Sequence, residues 1–235
     1  MKTVTIHQPN YLPGSGYFAK MALADVFVML DDVQYSKNNW TNRNRIKTAN
    51  GPQWITIPVQ TSGRAEQLIR DVEIDTRSGW PRKHRAAIQT SYGKAQHFEQ
   101  YHESLFDELS APWTSLAALN TRLIKLCASW LRIDVKFVES SELGVSGAGK
   151  DLIAGICESL QADKYLSGTG GRNYLDMVDF RRRGISVDFV SYRSPAYQQL
   201  HGDFVENMSI IDLLFNNGGA SRALIGRETV TCSSD

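Results

Sequence analysis

Thr3-Val4-Thr5-Ile6-His7-Gln8-Pro9-Asn10-Tyr11-Leu12-Pro13 opens the chain, followed by Gly16-Tyr17-Phe18-Ala19-Lys20 and then Ala24-Asp25-Val26-Phe27-Val28-Met29-Leu30-Asp31-Asp32. This stretch decides the fold. It reads as strand, turn, helix, strand. Thr3 to Ile6 is a short β-branched run. Pro9 and Pro13 fix φ and remove backbone donors, so regular structure stops there. Phe18, Met21 and Ala22 lie at helical spacing between Gly16 and Ala24. Val26 to Leu30 is almost unbroken apolar sequence, the pattern of a strand covered on both faces. Two parallel strands joined by a helical crossover are expected.

The polar residues sit at the mouth of that unit. His7, Gln8 and Asn10 follow the first strand, and Asp31 and Asp32 follow the second. Parallel strands end on one edge of the sheet, and ligands of α/β proteins bind along that edge. The histidine turn and the aspartate pair are therefore expected to face one crevice. A basic, aromatic run follows, with Lys37, Trp40, Arg43, Arg45 and Lys47. The first 50 residues hold six cations, Lys20 among them, against three carboxylates, while the whole chain is only +1. A local cationic excess beside a strand-end crevice suits phosphate or carboxylate.

Beyond this unit the chain alternates. Gln53 to Val59 reads as a strand, with Pro58 placing it at an edge or terminus. Leu68 to Ile74 reads as a second strand closing a hairpin-like excursion. Helices are expected from Pro81 to Tyr92, from Phe98 to Leu109, and from Ser115 to Trp130. Strands and helices then alternate again, with strands at 135–138, 164–167 and 185–192. Helices are expected at 150–160, 173–183 and 210–215, the last capped by Ser209 with Asp212 three residues on. Together these predict a doubly wound, mostly parallel, Rossmann-like α/β sheet in a single domain over residues 1–220. A helical insertion or cap occupies about 80–130, and a polar tail covers 221–235.

Composition excludes several classes. With 42% hydrophobic and 22% charged residues a packed core is expected. The near-neutral balance argues against a nucleic-acid coat, and no apolar run approaches the roughly 20 residues of a membrane helix. Three widely spaced cysteines suit a reduced, cytosolic protein, not a disulfide framework or zinc site. His97 and His102 do not share a helical face, so no metal pair is expected.

The segments HQPxYLPxxGYFxK, ADVFVxLDDVQY and KxxWxNRNRIK, as they stand here, resemble the WbqC-like family. The likeness continues in Trp80-x-x-Lys83-His84, in Tyr165-Leu166-Ser167-Gly168-x-Gly170-Gly171-x-x-Tyr174-Leu175, in Tyr197-x-Gln199 and in Ser209 to Asn216. It covers the chain to about Gly218. The resemblance implies an enzyme of bacterial surface-glycan (O-antigen) or related small-molecule biosynthesis. It brings no settled reaction, but it lifts Tyr11, Lys83 and His84 into the set of candidate binding residues.

The residues themselves supply candidate chemistry. His7, presented at a strand end, suits phosphate binding or acid–base work near neutral pH; the alternative is a histidine bonded to its own turn. Asp31 or Asp32 would orient His7, coordinate a divalent ion or hold sugar hydroxyls, and since side chains alternate only one of them points inward. Lys37, Arg43 and Arg45 with Trp40 read as an anion clamp with an aromatic wall; the alternative is a solvated edge strand. Gly168-Thr169-Gly170-Gly171-Arg172 lies between a strand and a helix, where backbone N–H groups can meet an anion. Ser167, Arg172 and Tyr174 would complete that contact, and Tyr197, Gln199 and His201 lie on a loop that could reach the site.

Three functions are weighed. The leading one is a cytosolic transferase moving an acyl, aminoacyl or similar activated group onto an amine or hydroxyl of a sugar or metabolite. Its donor is a small anion, namely a nucleotide sugar, an adenylate or an acyl carrier, and His7 with Asp31 or Asp32 is catalytic. The second is a non-catalytic module docking an acidic carrier protein or an enzyme on the basic aromatic segment. The third is a hydrolase using the same His/Asp pair.

Overall fold

In the computed structural model, which describes residues 1–227 and 229–233, the opening stretch folds as its periodicity demands. Strand β1 (Thr3–His7) leads through helix α1 (Ser15–Met21) to β2 (Val26–Met29), which pairs parallel with β1, Val4 opposite Val26 and His7 opposite Met29. Alternation splits β2 between two cores. Val26 and Val28 join one apolar cluster, Phe27 and Met29 the other.

The chain then makes a separate antiparallel hairpin of β3 (Arg43–Thr48) and β4 (Gly51–Thr56). Three helices follow, α2 (Trp80–Tyr92), α3 (Phe98–Ser110) and α4 (Leu116–Trp130). Strand β5 (Lys136–Glu139) pairs parallel with β2. Helix α5 (Gly149–Ser159) leads to β6 (Lys164–Gly168), which returns to the other side of β1. Helix α6 (Met177–Arg182), β7 (Ser186–Tyr192), α7 (Ile210–Asn217), α8 (Ser221–Arg227) and β8 (Thr229–Ser233) complete the chain.

The six-stranded sheet has the order β5-β2-β1-β6-β7-β8, and only β8 runs antiparallel. Apolar residues of α5 and α6 pack on one face; α1 to α4, α7 and α8 share the other core. This is the doubly wound α/β arrangement expected. The order of the sheet reverses between β1 and β6, so their C-terminal ends open a crevice.

Three local expectations change. The hairpin partner of β4 is β3, not Leu68–Ile74. Arg43 and Arg45 alternate with the buried Asn44 and Ile46, a period of two that the density of charge obscured. Leu68–Ile74 instead forms a 3-10 turn (Ile69–Asp71) with isolated bridges, because Ile69, Val72 and Ile74 are all buried and do not alternate. Gly168 is followed by a 3-10 turn (Thr169–Asn173), and α6 starts only where the Asp176 carboxylate accepts from Val178 and Asp179 N–H. The residues read as a polar tail include α8 and β8, and β8 pairs with β7 from Asp188↔Ser233 to Tyr192↔Thr229. Alternating Thr229, Val230, Thr231 and Cys232 fits an edge strand.

Candidate functional site

A cleft of about 500 Å³ opens where the sheet order reverses. His7 at the end of β1 and Lys20 on the last turn of α1 lie at its floor, with Gly168 and Thr169 from the end of β6. Tyr17, Val190 and Tyr192 form an apolar and aromatic side. Trp40, Asn44 and Arg45 bring the hairpin to the opposite lip, beside Asn207. Among the described residues no Asp or Glu lines it.

Lys20 is only 8% exposed. Its Nζ donates to the Ile6 carbonyl at 3.3 Å, and among the described residues no carboxylate pairs with it. Loss of hydration brings its pKa down from 10.5 to about 8. His7 lies beside it, its ring 4.6 Å from that of Tyr17. Burial first, and the Lys20 charge second, bring the His7 pKa from 6.5 to about 3, against the opposing pull of the Gln8 carbonyl. The imidazole is therefore neutral. Its Nδ1 lies 3.3 Å from that carbonyl, which can only accept. Nδ1 thus carries the proton and Nε2 a free lone pair.

The loop that presents these groups is held from several directions. Leu12 is fully buried at φ 41°, a left-handed conformation costly for a branched residue. The Asn44 amide donates to the Tyr11 and Leu12 carbonyls at 3.2 and 2.7 Å, and the Ser209 hydroxyl donates to Leu12 at 2.8 Å. Asn120 donates to the Pro9 carbonyl at 2.8 Å. Asn44→Ala should cost about 2–3 kcal/mol, because it strips donors from two buried carbonyls and an acceptor from the Arg45 N–H. Urea unfolding measures this; a cost near zero would mean the loop holds itself.

Of the residues singled out from sequence, His7, Asn10, Lys20, Trp40, Arg45 and Gly168 converge on the cleft. Gln8 contributes its carbonyl to the Tyr17 hydroxyl, at 3.1 Å. Tyr11 is buried, its hydroxyl donating to His84 Nδ1 at 2.9 Å. His84 Nε2 donates to the Thr56 carbonyl, and burial lowers its pKa to about 4. Lys83 and His84 border a different hollow, with Trp54 and Trp80, so their helix does not close over the crevice.

The aspartates also turn away from it. Asp31 accepts from the Ser140 hydroxyl at 3.0 Å and from the Ser141 N–H and hydroxyl at 3.0 and 2.8 Å. Asp32 faces the same Ser140 hydroxyl. Both carboxylates are drawn to the turn after β5, one strand further out than the switch point. The pair and His7 therefore do not share one crevice, and the partner serines, more than 100 residues on, left no local trace.

Lys37 borders a third hollow with Tyr35, Arg64 and Gln67. The Arg43 guanidinium lies over the Trp54 ring at 4.3 Å. Ser167 is buried, donating to the Gly168 carbonyl. Gly170 and Gly171 lie in the 3-10 turn beyond the cleft, and a Cβ on Gly171 would stand 2.1 Å from Ser167 Oγ. Arg172 stacks on Phe189 at 4.3 Å, and Tyr174 is exposed. Tyr197 and Gln199 both donate to the buried Asp212, and His201 donates to the Ser91 carbonyl. Sequence reading passed over Tyr192, Val190 and Asn207. The rule that selected His7, the end of a parallel strand, applies equally to Tyr192 on β7; Asn207 carries no such signal.

Among the described residues no helix is long and apolar enough to cross a membrane, and no group of three His, Cys, Asp or Glu side chains is placed to hold a metal. A model described as the WbqC-like protein family matches residues 8–223. "Uncharacterized protein Rv1507c" of Mycobacterium tuberculosis is 40% identical over 222 residues, which is 93% of this chain and 95% of that protein. No solved structure matches the chain. Matched over nearly its whole length by that model and by this relative, the chain belongs to the WbqC-like protein family.

Proposed function

We propose that the protein is a cytosolic group-transfer enzyme of surface-glycan or related small-molecule biosynthesis. Its cleft takes an activated, anionic donor and passes an acyl, aminoacyl or similar group to an amine or hydroxyl. The observation that carries this reading is the pair at the floor, a buried ammonium with no countercharge among the described residues beside a neutral imidazole with a free Nε2. A lone buried cation is costly, and an anion from outside is its natural complement.

For acyl transfer, the acceptor nitrogen or oxygen forms the new bond to the acyl carbon and gives its proton to His7 Nε2. The bond from that carbon to the leaving group breaks, and the electron pair departs with the anionic portion held by Lys20. An imidazole of pKa about 3 is a weak base in the empty cleft. A bound anion beside Lys20 offsets the smaller of the two causes, the Lys20 charge, and raises that pKa.

The test combines binding and turnover. Donors (acetyl-coenzyme A, an aminoacyl adenylate, a nucleotide sugar) are incubated with amino sugars and read by mass spectrometry, alongside thermal shifts. His7→Ala should reduce transfer at least 100-fold, with the anion-induced thermal shift retained. Donor hydrolysis at equal rate without acceptor would make the protein a hydrolase. Binding with no donor consumed by the wild type would leave a non-catalytic module.

A further inference from the structure

We propose that the donor is a nucleoside phosphate, its phosphate on the Lys20 ammonium at the strand ends and its base on the indole of Trp40 at the hairpin lip. The inference rests on the reading of this cleft as a donor site and narrows its ligand to one chemical class.

Three features at separate places point the same way. The floor holds the unpaired Lys20 ammonium, and among the described residues no carboxylate lines the cleft to repel a phosphate. Gly168, at the end of β6, has nothing beyond its own chain neighbours within 4 Å of where a Cβ would stand, so that part of the cleft stays open.

The cleft's volume is the second feature. About 500 Å³ lies within the roughly 300–1,000 Å³ that drug-sized ligands occupy, so a bare inorganic anion leaves most of it unfilled.

The third is the lip. Trp40 is 42% exposed, a large apolar surface left to water at the edge of a cavity. It is backed by Trp54, with ring centroids 5.3 Å apart. Trp54 in turn carries the guanidinium groups of Arg43 and Arg45, at 4.3 and 5.7 Å. Neither arginine pairs with a carboxylate among the described residues, and the Nε of each is buried without a partner. The indole is thus held by its neighbours while its outer face is free. A base stacks on such a face whatever its identity, and Arg45 adds a cation at the rim. Asn207 also lines the cleft, its carbonyl accepting from Arg45 Nη2 at 3.2 Å.

Calorimetric titration of the full chain with ADP, UDP, adenosine, glucose 1-phosphate and pyrophosphate tests the assignment. ADP and UDP should bind at least 10-fold more tightly than pyrophosphate. Trp40→Ala should weaken both nucleotides about 5- to 100-fold and leave pyrophosphate unchanged, while Trp40→Phe keeps most of the affinity. Lys20→Met should abolish binding of all the phosphates. Trp40 is exposed, so a melting temperature within a few degrees of wild type will show that its variants fold.

Nucleotides no tighter than pyrophosphate, or indifferent to Trp40, would overturn the base site yet leave an anionic donor standing. Glucose 1-phosphate binding as tightly as ADP and weakening with Trp40→Ala would replace the base by a sugar ring. If none of these anions binds and Lys20→Met changes nothing, the donor-site reading falls with it.

Discussion

Lys20→Met raises the melting temperature of the ligand-free protein and removes its response to anions. Burial brings the Lys20 pKa from 10.5 to about 8. At 1.36 kcal/mol per unit, the charged form costs the folded state up to about 3 kcal/mol. Below pH 8 both folded and unfolded chains hold this proton, so the cost is present in full. Between pH 8 and 10.5 the unfolded chain binds more protons than the folded one, and stability rises with pH. Above that window both forms are neutral and the penalty is gone.

Methionine keeps the apolar stem and removes the charge, so at pH 7 the variant should gain roughly 2–3 kcal/mol, about 5–10 °C in a chain of this size. Its stability should also lose the rise across pH 8 to 10.5. Anion affinity runs the other way in the wild type, falling as pH passes about 8 and the ammonium deprotonates. Without the Lys20 charge the His7 pKa should rise, which NMR of the ring follows. Gain of stability with loss of binding is the signature of a functional group held against the fold's own preference. A variant less stable than wild type, or one that still binds phosphate, would refute it.

Asp212→Ala should be the most destabilising single substitution outside the apolar core, at about 3–5 kcal/mol in urea unfolding. Asp212 is fully buried on the first turn of α7. It accepts from Tyr92 at 2.8 Å, from Tyr197 at 2.7 Å and from Gln199 at 2.9 Å. Burial raises its pKa, and the three donors pull it back. The Tyr92 hydroxyl also accepts from the Lys47 N–H, and Gln199 is bonded to both backbone groups of Val205. Lys47, buried itself, donates its ammonium to the Gly202 and Asp203 carbonyls.

This network therefore fastens the 197–205 segment to α2, β3 and α7. The same segment continues to Asn207, whose carbonyl accepts from Arg45 Nη2 at 3.2 Å beside the cleft. Removing the carboxylate takes the shared acceptor from Tyr92, Tyr197 and Gln199 at once, whereas Tyr197→Phe removes one donor to Asp212 and the 3.2 Å bond from Gln199 and should cost about 1 kcal/mol. Hydrogen exchange should speed up across 197–209 in Asp212→Ala. Equal, small effects of the two substitutions would mean the segment is held by its apolar contacts instead.

Much of this was legible from sequence because it is local. The β-branched run before His7, the apolar run of β2 and the prolines between them define the βαβ unit without reference to anything distant. Ser115 and Ser209 announce their helices as caps, and each hydroxyl accepts a first-turn N–H as expected. Strand-end placement selected His7 and Gly168, and the local excess of cations selected Lys20 and Arg45. The failures share a cause. Charge on Arg43 and Arg45 hid the period of β3, whose polar Asn44 faces inward because the carbonyls of the strained turn are there to receive it.

The sequence alone determined the kind of sheet, the strand ends that carry polar residues, and a cationic surplus near the first of them, since hydrophobic period and chain breaks are properties of neighbours. Which of those polar residues meet was decided only in three dimensions. Ser140 and Ser141 draw Asp31 and Asp32 aside, Asp212 claims Tyr197 and Gln199, and Lys20 is left with no carboxylate among the described residues. Ser140 and Ser141 lie more than 100 residues from the aspartates, and hydrogen bonds at that separation leave no pattern along the chain. The aspartates meet their serines because β5 lies beside β2, and the cleft opens because β6 returns to the side of β1.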